Sequence, residues 1–293
     1  MKQGKEVENP ESRFFAVLMA AAKLPGVRIN REAYLRSALA RHCSEEEIRR
    51  AIEETPAAAG ITVELLDKVA NDSIRYETAK VSALSAAAGM PGIFALPATV
   101  PADLAQYVGH MLRIAQKLAY LYSWPDLFAD EGEGVDDATM GVLTLFFGVM
   151  FGTQSANAAV GKVAGMMSKQ VAKKLPQKAL TKGVIYPIVK KSAAYLGVQM
   201  TKQSFAKGVS KAIPVIGAVV SGGLTLSTYL PMAKRLKKHL AVLPLADPSR
   251  QASESEEDVV DGEVVAEHET FAPADTELPD AATVAVKLEQ PGA

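Results

Sequence analysis

The stretch that decides the fold, residues 138–161, reads ATMGVLTLFFGVMFGTQSANAAVG and carries no charged side chain in 24 residues. Its most apolar part, residues 140–151, has about half the length of the ~20-residue helix that crosses a bilayer. Gly148 and Gly152 are four residues apart, so they lie on one face of a helix. Because glycines on one face allow close approach, we expect this helix to pack tightly against its neighbours.

The same stretch opens a region, residues 138–246, in which all the charge has one sign. Its 109 residues include fifteen Lys and Arg but no Asp or Glu. A second uncharged segment lies inside this region at residues 212–233, and a third precedes it at residues 81–102. Both segments contain several Gly and Pro, which a straight helix does not tolerate. The pattern predicts apolar helical hairpins interrupted by Gly and Pro.

Helix-start signals dominate the N-terminal part, and no strand-like alternation of apolar and polar residues stands out in the body of the chain. Asn30 and Thr62 are suitable N-caps, and Ser44 with Glu47 three residues later forms a capping box. We therefore predict an all-α helical bundle. Its helices are expected at residues 11–24, 31–42, 45–54, 63 to about 84, 102–122 and 184–207, the last with a bend at Pro187.

The C-terminal residues differ sharply in charge from the rest of the chain. From Gln251 onward there are twelve acidic residues and one Lys, whereas the first 250 residues hold 31 basic and 21 acidic ones. We predict a small N-terminal helical region at residues 11–75, a larger helical domain at residues 76–243 and a disordered acidic tail at residues 247–293. The single cysteine excludes an intramolecular disulfide and favours a cytosolic location.

Two groups of residues resemble a known family. The first comprises AAGMPG at residues 87–92, PADL at residues 101–104, Gln106, Ile114-Ala115 and YLY at residues 120–122; the second is KAIPVIGA at residues 211–218. Together they resemble the EcsC-like family over about residues 80–240. The resemblance implies a helical, membrane-associated bacterial protein and brings no catalytic residue with it. Ser123 stands where the resemblance leads us to expect a glycine.

The cations of residues 138–246 are the first candidate binding residues. We expect an anionic surface to be bound by Lys162, Lys169, Lys173, Lys174, Lys234, Arg235, Lys237 and Lys238. Anionic lipid attracts each surface cation by about 1 kcal/mol. Nucleic acid would use the same charges, but base stacking needs aromatic side chains, and these are sparse here. A solvated helix face is the third interpretation, although such faces usually mix both signs of charge.

A polar stripe on the helix predicted at residues 102–122 is the second candidate site. Its members share one side of the helix and are Asp103, Gln106, Tyr107, His110 and Arg113. One interpretation is a buried stripe that binds a ligand or a lipid head group. The other combines an acidic residue favouring the helix N-terminus with a hydrogen-bonded network between helices.

Signals for chemistry are missing from the sequence. His42 and Cys43 are adjacent, so on a helix they point about 100° apart. The spacing of His, Asp and Glu matches neither a zinc site nor a catalytic triad, and the glycines at residues 222–223 lack the lysine of a phosphate-binding loop. We expect neither a metal nor another cofactor.

The function that we expect is non-enzymatic. The sequence indicates a membrane-associated interaction or regulatory protein that binds anionic lipid at the inner face of the cell membrane. Attachment is expected to be peripheral or shallow, because Gly, Pro or polar residues interrupt each apolar segment. A membrane-protein partner is left open. The alternatives are a nucleic-acid-binding helical protein and, third, an unrecognised hydrolase.

Overall fold

A computed structural model describes residues 9–88, 102–128, 134–169, 174–210 and 229–247. All regular secondary structure in these residues is helical, which confirms the predicted all-α class. The helices are α1 Pro10–Ala22, α2 Arg31–Leu39, α3 Glu45–Glu53, α4 Val63–Ala88, α5 Ala102–Leu121, α6 Asp137–Met150, α7 Gln154–Lys169, α8 Gln177–Thr181, α9 Tyr186–Ser210 and α10 at residues 229–241.

The predicted helix starts are confirmed where local caps decide them. At α3, the Ser44 hydroxyl accepts the Glu47 N–H at 3.3 Å while the Glu47 carboxylate accepts the Ser44 N–H at 2.7 Å, which completes the capping box. Asn30 caps α2 by accepting the Ala33 N–H at 2.8 Å. Each such cap typically adds about 1 kcal/mol to helix stability.

Two predictions in the second half of the chain need correction. The helix expected from residue 184 begins at Tyr186, so Pro187 lies in its first turn rather than at an internal bend. Proline fits there because the first N–H groups of a helix have no intrahelical partner. The uncharged segment at residues 138–161 forms two helices, since Gly152 has φ +82° between α6 and α7.

The core forms around α1, which packs against both α5 and α9. Gly197 of α9 lies directly against the N-terminus of α1, where a Cβ atom would overlap the Pro10 carbonyl. The close approach expected at Gly148 is also present, because a Cβ atom there would lie 2.6 Å from the Ala156 Cβ. Phe14 of α1 meets Phe147 of α6 edge to face at 6.0 Å between ring centroids.

Several predictions lie wholly or partly outside the described residues. The structure describes neither residues 89–101 and 211–228 of the predicted hairpins nor the predicted tail from residue 248 onward. The division between residues 75 and 76 stays a prediction from the sequence. In the structure this point lies within α4, and buried side chains on both sides of it belong to one hydrophobic core.

Membrane crossing can be assessed only for the described helices. None of them combines the length and the hydropathy that a membrane span requires.

The end of α5 explains the unusual residue at position 123. Ser123 has φ +68°, in the left-handed region that favours glycine, while the Ser123 N–H bonds to the Tyr120 carbonyl and the Trp124 N–H to the Ala119 carbonyl. The serine hydroxyl accepts the Ala57 N–H at 3.1 Å, so it ties the loop before α4 to this turn. A glycine would form the turn with less strain but could not make this bond.

We expect Ser123→Ala to destabilise the protein by about 1–2 kcal/mol, because it keeps the left-handed strain and leaves the Ala57 N–H without its acceptor. Ser123→Gly should stay within about 1 kcal/mol of the wild type, since relief of strain offsets the lost bond. Urea denaturation of both variants measures these differences. A glycine variant less stable than the alanine variant would contradict this account of the turn.

Candidate anion-binding groove

Three of the lysines predicted to bind an anionic surface lie together on α10. Lys234, Lys237 and Lys238 face one side of α4 across a groove with a volume of about 510 Å³. The α4 side consists of Val63, Asp67 and Asn71, which recur every four residues and so form one stripe. Ala241 and Val242 complete the lining. We call this feature the basic groove.

One lysine of the basic groove forms an ion pair with an aspartate of the same lining. The Lys237 ammonium lies 2.9 Å from Oδ2 of Asp67, and the Tyr122 hydroxyl donates to Oδ1 of the same carboxylate. Burial, with the bond to Asp67, raises the pKa of Tyr122, so this hydroxyl remains a donor at neutral pH. Lys234 and Lys238 are exposed. Three lysines against one aspartate leave the lining with a charge of about +2.

The remaining predicted cations are spread over the molecule. Lys162 on α7 and Lys174 before α8 are exposed, Lys169 is the last residue of α7, and Lys173 lies outside the described residues. Arg235 points away from the groove, and its Nη1 donates to the Met150 carbonyl at 3.2 Å. A cation at the C-terminal end of α6 is favourable because the helix dipole is negative there. Arg235 therefore helps to hold α10 on the bundle, and its role in anion binding stays a prediction.

The polar stripe of α5 faces the interior from Gln106 to Arg113, the part whose side chains the structure describes. Tyr107 and His110 are buried, Gln106 and Arg113 are half-buried, and Asp103 lies at the start of the helix. The Tyr107 hydroxyl lies 3.7 Å from the Met232 sulfur, and the His110 carbonyl accepts the Tyr229 hydroxyl at 3.3 Å. Burial lowers the pKa of His110, whose Nδ1 has no hydrogen-bond partner among the described residues. These contacts attach α10 to α5.

Arg113 belongs to an ion cluster that the sequence does not reveal. Its guanidinium makes two bonds to the Glu77 carboxylate, at 3.1 and 2.9 Å, and also donates to the Gly26 carbonyl. Lys117, one turn further along α5, reaches Glu77 Oε1 at 2.7 Å, and its ammonium lies over the rings of Tyr34 and Tyr76. Burial opposes ionisation of Glu77, but the two cations outweigh it and lower its pKa.

Of the two interpretations of the polar stripe, the hydrogen-bonded network between helices therefore describes Arg113. The sequence does not predict the ion cluster. Arg113 and Lys117 are four residues apart on α5, but the carboxylate that pairs with both, Glu77, lies on α4, 40 residues before Lys117. The α4 side of the basic groove was missed for the same reason: Asp67 is 170 residues from Lys237. Short-range patterns do not reveal such pairs.

Metal ligands and the adjacent His42 and Cys43 are the remaining candidates for chemistry. No group of three or more His, Cys, Asp or Glu side chains among them is placed to hold a metal ion. Burial, with Glu47, raises the pKa of the Cys43 thiol, which reduces the fraction of nucleophilic thiolate. The neighbouring His42 is exposed on the surface.

Comparison with known proteins gave no match to a family model, to a curated protein or to a solved structure. The resemblance to the EcsC-like family thus remains a prediction that rests on the residues quoted for it.

We expect Glu77→Gln to destabilise the fold by about 3 kcal/mol at pH 7, because it leaves two largely buried cations without their carboxylate. The pKa of Glu77 is lower in the folded protein than in the unfolded chain, so its contribution is complete above the unfolded pKa of about 4.3 and is lost as the pH falls below that value. The stability difference between wild type and variant should therefore narrow below about pH 4.

Urea denaturation at pH 7 and at about pH 3.5, below the unfolded pKa, tests this expectation. Glu46→Gln is the matched control, because it removes one charge from an exposed ion pair with Arg49 and should have little effect. A Glu77→Gln variant as stable as the Glu46→Gln variant at pH 7 would show that the cluster does not support the fold.

Proposed function

We propose that this protein is a non-enzymatic, membrane-associated interaction or regulatory protein that binds anionic lipid headgroups. The observation that supports the proposal most directly is the basic groove, where Lys234 and Lys238 stand exposed beside the Lys237–Asp67 pair. A headgroup phosphate is small enough for a cavity of about 510 Å³ and would complement its positive lining. Charge and size together make the groove suitable for such a group.

The distribution of charge in the two halves of the chain gives further support. Near the N-terminus, arginines and glutamates pair with each other on single helices, as in Arg36–Glu32 and in Arg49 with Glu46 and Glu53. Residues 138–246 contain no acidic residue, so their lysines have no acidic partner nearby in the chain. Where the structure describes their side chains, the exposed lysines of this region are Lys162, Lys174, Lys178, Lys182, Lys190, Lys191, Lys234 and Lys238, of which Lys190 lies 3.7 Å from Glu11. An anionic surface would compensate these charges.

Lipid fits the basic groove better than nucleic acid does. The described lining is aliphatic, amide, lysine and aspartate, without an aromatic ring on which a base could stack. Val242 lies at the groove with 54% of its surface exposed, and apolar surface of this kind suits the boundary of a bilayer. Nucleic acid is the outcome that the binding test must exclude.

The full-length protein should bind vesicles that contain phosphatidylserine and bind neutral phosphatidylcholine vesicles much less. Binding should weaken between about 0.1 and 1 M salt, because the screening length falls from about 10 Å to about 3 Å. Sedimentation with the two kinds of vesicle measures both effects. Equal binding to both vesicles, or a preference for an oligonucleotide at equal phosphate concentration, would contradict the proposal.

The groove itself is tested by Lys234→Ser combined with Lys238→Ser. The loss of two surface cations at about 1 kcal/mol each should weaken binding to anionic vesicles about 30-fold. Lys23→Ser combined with Arg41→Ser removes the same charge from exposed positions outside α4 and α10 and serves as the matched control. If the two double variants lose affinity equally, overall charge and not the groove governs binding.

A further inference from the structure

A short surface segment between α8 and α9 exposes apolar side chains. Val184 has 76% of its surface exposed and Tyr186 has 38%, and Pro187 beside them is also exposed. We call residues 182–187 the α8–α9 corner. None of these residues belongs to the basic groove, whose lining comes from α4, α10 and the residue after α10.

Val184 is exposed because buried or closely packed residues on both sides of it fix the backbone. Ile185, next in the chain, is completely buried, and Leu180 on α8 is buried as well. Gly183 lies so close to α8 that a Cβ atom there would be 2.9 Å from the Ala179 Cα. The Tyr186 N–H bonds to the Gly183 carbonyl at 3.1 Å and closes the turn into α9. With both sides held in this way, the corner presents Val184 outward.

Four exposed lysines lie within seven residues of Val184 in the chain. Lys178, Lys182 and Lys191 are exposed close to Val184 in the chain, and the acid-free region extends over the whole corner. The Lys190 ammonium lies 5.6 Å from the centre of the Tyr186 ring and 3.7 Å from the Glu11 carboxylate. An exposed valine and tyrosine with exposed lysines nearby in the chain suit the boundary of an anionic bilayer, where apolar groups enter and lysines reach the phosphates.

We infer that the α8–α9 corner inserts shallowly into an anionic lipid bilayer, with Val184 and Tyr186 below the level of the phosphates and Lys178, Lys182 and Lys191 at that level. This inference rests on the proposed function and adds the part of the surface that enters the lipid. The side chains that enter do so from a turn between helices, so the expected depth is that of interfacial segments, about 5–10 Å. A soluble polyanion would not bury the valine.

A tryptophan reporter tests the insertion directly. The chain has one tryptophan, Trp124, which is fully buried and supplies a constant background. In Val184→Trp, brominated lipid in phosphatidylserine vesicles should quench the added fluorescence by about half or more, with stronger quenching from bromines near the headgroup than from those deep in the acyl chains. Val198→Trp is the matched control on α9, about 18 Å along the helix from Tyr186 at about 1.5 Å per residue. Its fluorescence should change little.

The outcomes separate this inference from the proposed function. If the wild type sediments with anionic vesicles but Val184→Trp is not quenched, the corner does not insert, while lipid binding by the protein stands. Quenching of Val242→Trp in the basic groove without quenching at Val184 would likewise overturn the inference. If the wild type does not bind anionic vesicles at all, the proposed function and the inference both fail.

Affinity supplies a second readout that needs no reporter. Val184→Ser removes an exposed apolar side chain, so it should fold normally and bind anionic vesicles roughly threefold to tenfold more weakly, as expected for withdrawing part of a valine from an apolar environment. Val198→Ser, which starts from a less exposed valine, should bind like the wild type. Equal affinities of the two serine variants would overturn the inference, and circular dichroism checks that both remain folded.

Discussion

Glu77 sets the arrangement of the middle of the molecule. Its carboxylate is completely buried, and such a charge is tolerated only where paired and hydrogen-bonded partners replace water. Arg113 and Lys117, one helical turn apart, supply those partners from α5. The geometry fixes the register of α4 against α5, because a shift of either helix would separate the carboxylate from at least one cation. Arg113 extends the constraint to the loop after α1 through Gly26.

A second carboxylate on α4 gives the basic groove its form. Asp67 accepts the Tyr122 hydroxyl from the end of α5 and the Lys237 ammonium from α10, so one side chain joins three segments. The Arg235 bond to α6 and the Tyr229 bond to α5 hold α10 from its other sides. Structural bonds therefore occupy part of the cationic cluster at residues 234–238, while Lys234 and Lys238 remain exposed at the groove.

The sequence predicted what depends on neighbours in the chain. Helix class, the capping box at Ser44 and the N-cap at Asn30 follow from residues three or four apart, and these were right. The placement of Gly148 and Gly152 on one helix and the start of the last predicted helix at residue 184 needed correction, since a single glycine or proline fits several positions at a helix end. The partners of Arg113 and Lys237 could not be predicted, because only the packing of α4 brings Glu77 and Asp67 to them.

Charge and apolar surface make different contributions to membrane attachment. Lysines attract any polyanion within a screening length, so a cationic surface alone does not distinguish a bilayer from nucleic acid. An exposed valine gains free energy only where an apolar phase accepts it. In the proposed mode of binding, the basic groove and the α8–α9 corner would therefore contribute in different ways. The groove offers charge in a cavity of headgroup size, and the corner offers Val184 on a turn that its buried neighbours hold in place. In the proposed mode of binding, the groove would supply attraction to the bilayer and the corner would supply selectivity for it over nucleic acid.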